Sequence, residues 1–126
     1  MYGDLLTSTT EPICAFLGLE TISDKLHAYL EGEFVPQRVK LGIKAKVISH
    51  IGEKNKTYKS MDKKVLRETR IIKNELFVLH HEINIYGENR VAIAMFNNEE
   101  MSAIIIHSKK FHDTLLSIFN FIRKAK

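Results

Sequence analysis

At 126 residues, 44% hydrophobic and 27% charged, with six glycines and two prolines, the chain is one domain, long enough to bury a core and neither disordered nor fibrous. Its single cysteine, Cys14, excludes an internal disulfide and a cysteine metal knuckle, and no apolar run approaches the roughly 18 residues of a membrane helix. The net charge of +4 is local: residues 53–73 hold Lys54, Lys56, Lys59, Lys63, Lys64, Arg67, Arg70 and Lys73 against Glu53, Asp62 and Glu68, eight minus three or +5, so the remainder sums to −1. Such a strip either attracts phosphate backbones or is a solvated helix and loop. MYGDLLTS lacks the basic and apolar parts of a secretion signal, and a cytoplasmic location is expected.

In chain order, PICAFLG reads as a short buried strand. TISDKLHAYLEGEF follows with Ile22, Leu26, Tyr29, Leu30 and Phe34 at helical spacing and Thr21 or Ser23 as its cap. Gly32 and Pro36 should weaken or kink this helix, and a turn through Arg38 closes at Gly42. GIKAKVISHI is the next strand, and a crossover of this length implies a parallel βαβ unit. EKNKTYKSMDKKVL reads as an exposed helix with loose ends. TRIIK, LFVLHHEINIYG, NRVAIAMFN and MSAIIIHS read as four strands. The turns at 87–89 and 97–100 are too short for parallel crossovers, so this part should be an antiparallel meander. A helix from Lys109 closes the chain, with Phe111, Leu115, Ile118, Phe119 and Ile122 as its buried stripe.

The polar residues leave several chemistries open. Histidines 27, 50, 80, 81, 107 and 112 form no helical metal pair, and a site from His80, Glu82 and a distant ligand is demanded by no spacing. Cys14 sits mid-strand, where cysteine behaves as a small hydrophobe. Gly52 and Gly87 are isolated, so no phosphate loop exists. In HHEINIYG, Glu82, Asn84 and Tyr86 alternate with Ile83 and Ile85, which puts three polar groups on one face. That face is either open to water or the wall of a pocket. In LRETR, Arg67 and Arg70 could fork around a carboxylate or phosphate, or pair with Glu68, Glu75 or Glu82.

Several stretches together resemble the C-terminal domain of TrmB-type transcriptional regulators. They are Arg38-Val39-x2-Gly42-Ile43-Lys44, Leu66-Arg67-Glu68-Thr69-Arg70, Glu82-Ile83-Asn84-Ile85-Tyr86-Gly87 and Val91-Ala92-Ile93, within a match from about Ile13 to Ile122. The resemblance implies a single phospholipase-D-like α/β domain: a mixed sheet with a parallel βαβ start, an antiparallel meander and a C-terminal helix. It implies a sensing and dimerising role beside a DNA-binding winged helix, which this sequence of 126 residues does not contain. Phospholipase-D enzymes carry His-x-Lys-x4-Asp near the meander. Here no lysine lies between Asn74 and Arg90, and only His80 and His81 echo the motif. The cation that would hold phosphoryl charge is missing, so no catalysis is expected.

The reading is therefore a catalytically inactive ligand-sensing or dimerisation domain. Glu82, Asn84 and Tyr86 are the ligand-binding candidates, with at least one of Arg67 and Arg70 reaching the same covered cleft. The resemblance implies a small-molecule effector, a sugar or similar, and a homodimer, with DNA reached only through the winged helix. No metal, cofactor or membrane is implied. The rivals are a diverged phosphodiesterase or nuclease using His80 or His81, and a nucleic-acid-binding module using the basic strip.

Overall fold

The computed structural model describes residues 1–8, 12–97 and 100–125. Along them run α1 (Tyr2–Thr7), β1 (Ile13–Phe16), a 3-10 turn (Leu19–Thr21), α2 (Asp24–Tyr29), a π-helical turn (Leu30–Phe34), α3 (Val35–Lys40), β2 (Ala45–His50), α4 (Glu53–Ser60), a second 3-10 turn (Asp62–Val65), β3 (Arg67–Ile72), β4 (His81–Tyr86), β5 (Arg90–Asn97), β6 (Glu100–His107) and α5 (Lys109–Lys124). The strands form one mixed sheet in the order β3-β2-β1-β4-β5-β6. β1, β2 and β3 are mutually parallel, whereas β4, β5 and β6 form the antiparallel meander. β4 joins the halves by running antiparallel beside β1.

Two crossovers taken in the same direction, β1 to β2 and β2 to β3, place α2, α3 and α4 on one face if both are right-handed. The packing agrees. Leu17, Leu30, Val47, Tyr86 and Ala92 form a core there with Tyr2 and Leu5 of α1, and Tyr58 of α4 packs against it. The opposite face carries Cys14, Phe16, Ile48 and Ile85 under Phe119 of α5. Phe16 and Phe119 meet edge to face at 5.2 Å.

Local chemistry accounts for most boundaries. Ser23 is the cap of α2, its Oγ accepting from Leu26 N–H at 3.1 Å. Gly32 and Pro36 do not break the helix that follows. The chain inserts a π-helical turn at 30–34, and Pro36 falls in the first turn of α3, where its missing N–H is harmless. Gly42, at φ 72°, ends the segment in the left-handed conformation.

Three expectations change. The N-terminal residues form α1, which the sequence did not suggest. LFVLHHEINIYG is a strand only from His81: Leu76 N–H and Phe77 N–H both turn back on Asn74, and residues 73–80 then cross from the β3 edge to β4, three strand positions away. On α5, Phe119 is fully buried with Leu115, Leu116 and Ile122 beside it, whereas Phe111 and Ile118 lie on an exposed flank. At 100° per residue, 111 and 118 point well away from 112 and 119. The expected turn at 97–100 falls partly outside the described residues.

Candidate functional site

The alternation along β4 turns Glu82, Asn84 and Tyr86 to the helix-covered face, opposite Ala94, Ala92 and Arg90 of β5. Glu82 and Asn84 are 4% and 3% exposed. With Arg38, Tyr58 and a mostly apolar wall that includes Leu30 and Phe34, they line a small cavity of about 30 Å³. Glu82 accepts a hydrogen bond from the Tyr2 hydroxyl at 2.6 Å. Burial pushes its carboxyl above the ordinary range, opposed by the Tyr2 hydroxyl and by the nearby Asn84 amide. That amide is short of a well-formed hydrogen bond: Asn84 Nδ2 is buried and unpartnered.

Tyr86 serves a different end of the strand. Its hydroxyl donates to Asp4 Oδ2 at 2.5 Å, while Arg90 donates to Asp4 Oδ1 at 2.6 Å. These contacts clasp α1 onto the sheet, and they hold the Asp4 carboxyl below its usual range, the Tyr86 hydrogen bond most of all.

The arginines divide by the parity of β3. Arg67 is buried on the cavity side and stacks on the Tyr58 ring at 3.3 Å from its centroid. It donates from Nε to Asp62 at 2.8 Å and from Nη2 to the Tyr58 carbonyl at 2.5 Å. It therefore reaches the cleft only as backing for Tyr58, whose hydroxyl is pushed up to about 12 by burial with Arg67 opposing. The donor to Glu82 is Tyr2, where the sequence suggested an arginine. Arg70 leaves the cluster: one residue's parity turns it to the opposite face, where it donates to the Ala125 carbonyl.

Tyr2, the donor to Glu82, and the cavity residues Tyr58 and Arg38 escaped the sequence reading. Tyr2 lies outside any element that periodicity revealed. Tyr58 was the lone aromatic of a basic strip. Arg38 is 2% exposed and caps three carbonyls, Ile43 at 2.7 Å, Val65 at 2.7 Å and Leu66 at 3.3 Å. Its buried position in the quoted Arg38-Val39 motif was the one signal available.

His80 and His81 are exposed, outside the cavity. Burial raises the Cys14 thiol. Among the described residues no three His, Cys, Asp or Glu side chains gather as metal ligands, and no helix is long and apolar enough to cross a membrane. The basic strip does shape a surface. Lys56, Lys59, Arg70, Lys73, Arg123 and Lys124 line an open groove of about 1580 Å³, against Glu53 and Glu68.

The architecture is an α/β domain with a six-stranded mixed sheet, a C-terminal helix and, at mid-sheet, a small and mostly apolar pocket that holds Arg38, Tyr58, Glu82 and Asn84. Over 98% of the chain this fold is similar to that of TrmBL2, an archaeal chromatin protein whose structure shows a novel mode of DNA binding, with a TM-score of 0.60 and 13% identity. The chain spans 47% of that protein's chain, about half its length. No family model matches the chain, and no curated protein does.

Proposed function

We propose that this chain is the effector-sensing and dimerising domain of a TrmB-like transcriptional regulator, phospholipase-D-like in fold and without catalysis of its own. One observation carries the sensing role: Glu82 and Asn84 face a small cavity, and Asn84 Nδ2 is a buried donor without a well-formed hydrogen bond. Such a donor costs about 1–3 kcal/mol and favours an occupant that accepts from it. A hydroxyl-rich effector can accept from Asn84 and donate to Glu82. The cavity as it stands holds about two waters at roughly 10–15 Å³ each, so a sugar-sized effector enters by displacing the π-helical turn that roofs it. π-helical turns recur at functional sites. Catalytic silence is supported by the sequence, which has no lysine between Asn74 and Arg90 to hold a phosphoryl group near His80 or His81, and by the engagement of the buried arginines, Arg38 with carbonyls and Arg67 with Asp62 and Tyr58. In such a regulator DNA is read by a winged helix joined to this domain.

The test is a titration of the labelled chain with neutral mono- and disaccharides, followed by amide NMR shifts. Perturbations at residues 30–38 and 82–86 are expected, and perturbations confined to other segments would refute the site. Turnover of bis(p-nitrophenyl) phosphate that disappears in a His80→Ala, His81→Ala double variant would refute the silence.

The basic groove favours a second reading, direct contact with nucleic-acid phosphates. Lys56, Lys73 and Lys124 make no ion pair among the described residues. Steeply salt-dependent binding of duplex DNA by this chain, lost on neutralising those lysines, would favour it.

A further inference from the structure

The two edges of the sheet are finished in opposite ways. On β3, the hydrogen bond from Ala45 N–H to the Leu66 carbonyl sets the parity of the parallel ladder. Glu68 and Arg70 turn their backbone groups to β2, and Thr69 turns outward. Both outward groups of Thr69 are taken: its N–H donates to Asp62 Oδ2 at 2.6 Å, and its carbonyl accepts from Lys59 Nζ. Covering the middle of the edge in this way hinders the addition of another strand.

β6 carries no such cover. Ser108 N–H donates to the Asn89 carbonyl at 2.8 Å and continues the β5–β6 register, so the even-numbered residues of β6 bond to β5. Met101, Ala103, Ile105 and His107 point their N–H and C=O groups outward, and no described residue bonds to them. The strand is eight residues long and has no charged side chain from Met101 to Ile106. Met101, Ile104 and Ile105 are 44%, 48% and 37% exposed. A long, apolar, open edge is either an interface or an aggregation site.

We propose that β6 pairs antiparallel with β6 of a second copy of this chain, about a two-fold axis through Ile104, fusing two six-stranded sheets into one. This rests on the dimerising part of the reading above and names its surface. A two-fold axis normal to the sheet leaves each face unchanged, so one residue must lie on the axis against its own copy. With Ile104 there, Met101 pairs with the partner's His107 and Ala103 with the partner's Ile105, and every outward group of β6 finds its complement. Ile104 packs on the partner's Ile104, and Ser102 lies beside the partner's Ile106. Glu100 falls opposite the partner's Ser108, at the N-terminus of the 16-residue α5 and next to the partner's Lys109 and Lys110. That is where a carboxylate is favoured. With Ala103 on the axis instead, Glu100 meets the partner's Ile106 and His107 runs past the end of β6. Hydrogen bonding, apolar contact and charge therefore select the same occupant, a second copy, in one register.

The Ile104 pair is of the type without backbone hydrogen bonds, with Cα atoms about 4.5 Å apart. That lies inside the range of roughly 4.4–6.8 Å that a disulfide spans. In a Cys14→Ala background, Ile104→Cys should oxidise to a linked dimer. Ala103→Cys, which faces the partner's Ile105, and Phe121→Cys, on the far side of α5, should link far less. Separately, light scattering at tens of micromolar should give a dimer for the full chain and a monomer for Ile104→Lys, with unchanged circular dichroism. A dimer that survives Ile104→Lys and fails to link at 104 would overturn the seam and leave the dimerising reading standing. A monomeric full chain would overturn both. Open-ended aggregates dispersed by Ile104→Lys would show an unprotected edge and overturn the closed pair.

Discussion

Tyr2 and Glu82 stand 80 residues apart in the chain and meet at 2.6 Å, the phenol of α1 donating to a carboxylate buried at mid-sheet. The contact joins the N-terminal helix to the floor of the cavity. Tyr2→Phe removes the donor and leaves the carboxylate buried beside an amide that does not bond it well. A loss of about 1–3 kcal/mol is expected in urea unfolding. An unchanged midpoint would show that water or another group serves Glu82 equally well.

The acidity of Glu82 gives that region a pH signature. Its folded pKa is raised, chiefly by burial, so the folded state binds the proton more tightly than the unfolded chain does. The stabilisation this brings is fully present below the unfolded value, about 4.3, and is lost as pH rises through the folded value. Glu82→Gln keeps an oxygen for the Tyr2 hydroxyl and removes the charge. Its Tm should match wild type near pH 4 and exceed it near pH 8. A gap that opens on acidification has the wrong sign for this account.

Asp62 holds Arg67 by a 2.8 Å ion pair and Thr69 by two hydrogen bonds, at 2.6 and 2.8 Å. The Arg67 side chain is 1% exposed, and its Nη1 is already unpartnered. Asp62→Ala strands that buried cation and should lower stability by about 3 kcal/mol, the scale for breaking a buried pair. Arg70→Ala, on the other face, removes only a half-exposed contact and should change stability by less than about 1 kcal/mol. Equal effects of the two variants would contradict the parity assigned to β3.

Gly42 ends α3 at φ 72° in open surroundings, with nothing near the position a Cβ would take. Gly42→Ala therefore isolates backbone strain from packing. It should cost roughly 1–2 kcal/mol, read as a lowered urea midpoint with unchanged slope.

The sequence was most informative where a short period meets burial. The alternation of Glu82, Asn84 and Tyr86 placed them on one face, and the same rule applied to β3 separates Arg67 from Arg70. What alternation leaves open is which face of one strand looks at which face of another, because that depends on strand order. β4 pairs with β1, about 70 residues earlier in the chain, and no local pattern encodes that choice. Nearness in sequence groups Arg70 with Arg67, and the pleat sets them apart. Tyr2 was illegible for a related reason: α1 is six residues long, too short to show a period, and it is held by Asp4, Tyr86, Arg90 and Glu82 rather than by its own propensity. The cavity is not legible in the sequence because Arg38, Tyr58 and Asn84 converge from three separate elements.

In the proposed function Asn84 is the donor that greets an effector. The most direct measurement compares thermal unfolding of wild type, Asn84→Leu and Arg70→Ala, each with and without the panel of neutral mono- and disaccharides. At a hundredfold excess over Kd, binding to the folded state adds about 2.7 kcal/mol. Wild type and Arg70→Ala should gain Tm with the same sugar. Asn84→Leu, relieved of its unpaired amide, should unfold no earlier than wild type without sugar and gain nothing with it. A sugar-induced rise that persists in Asn84→Leu, or no rise in wild type with any of the sugars, would contradict it.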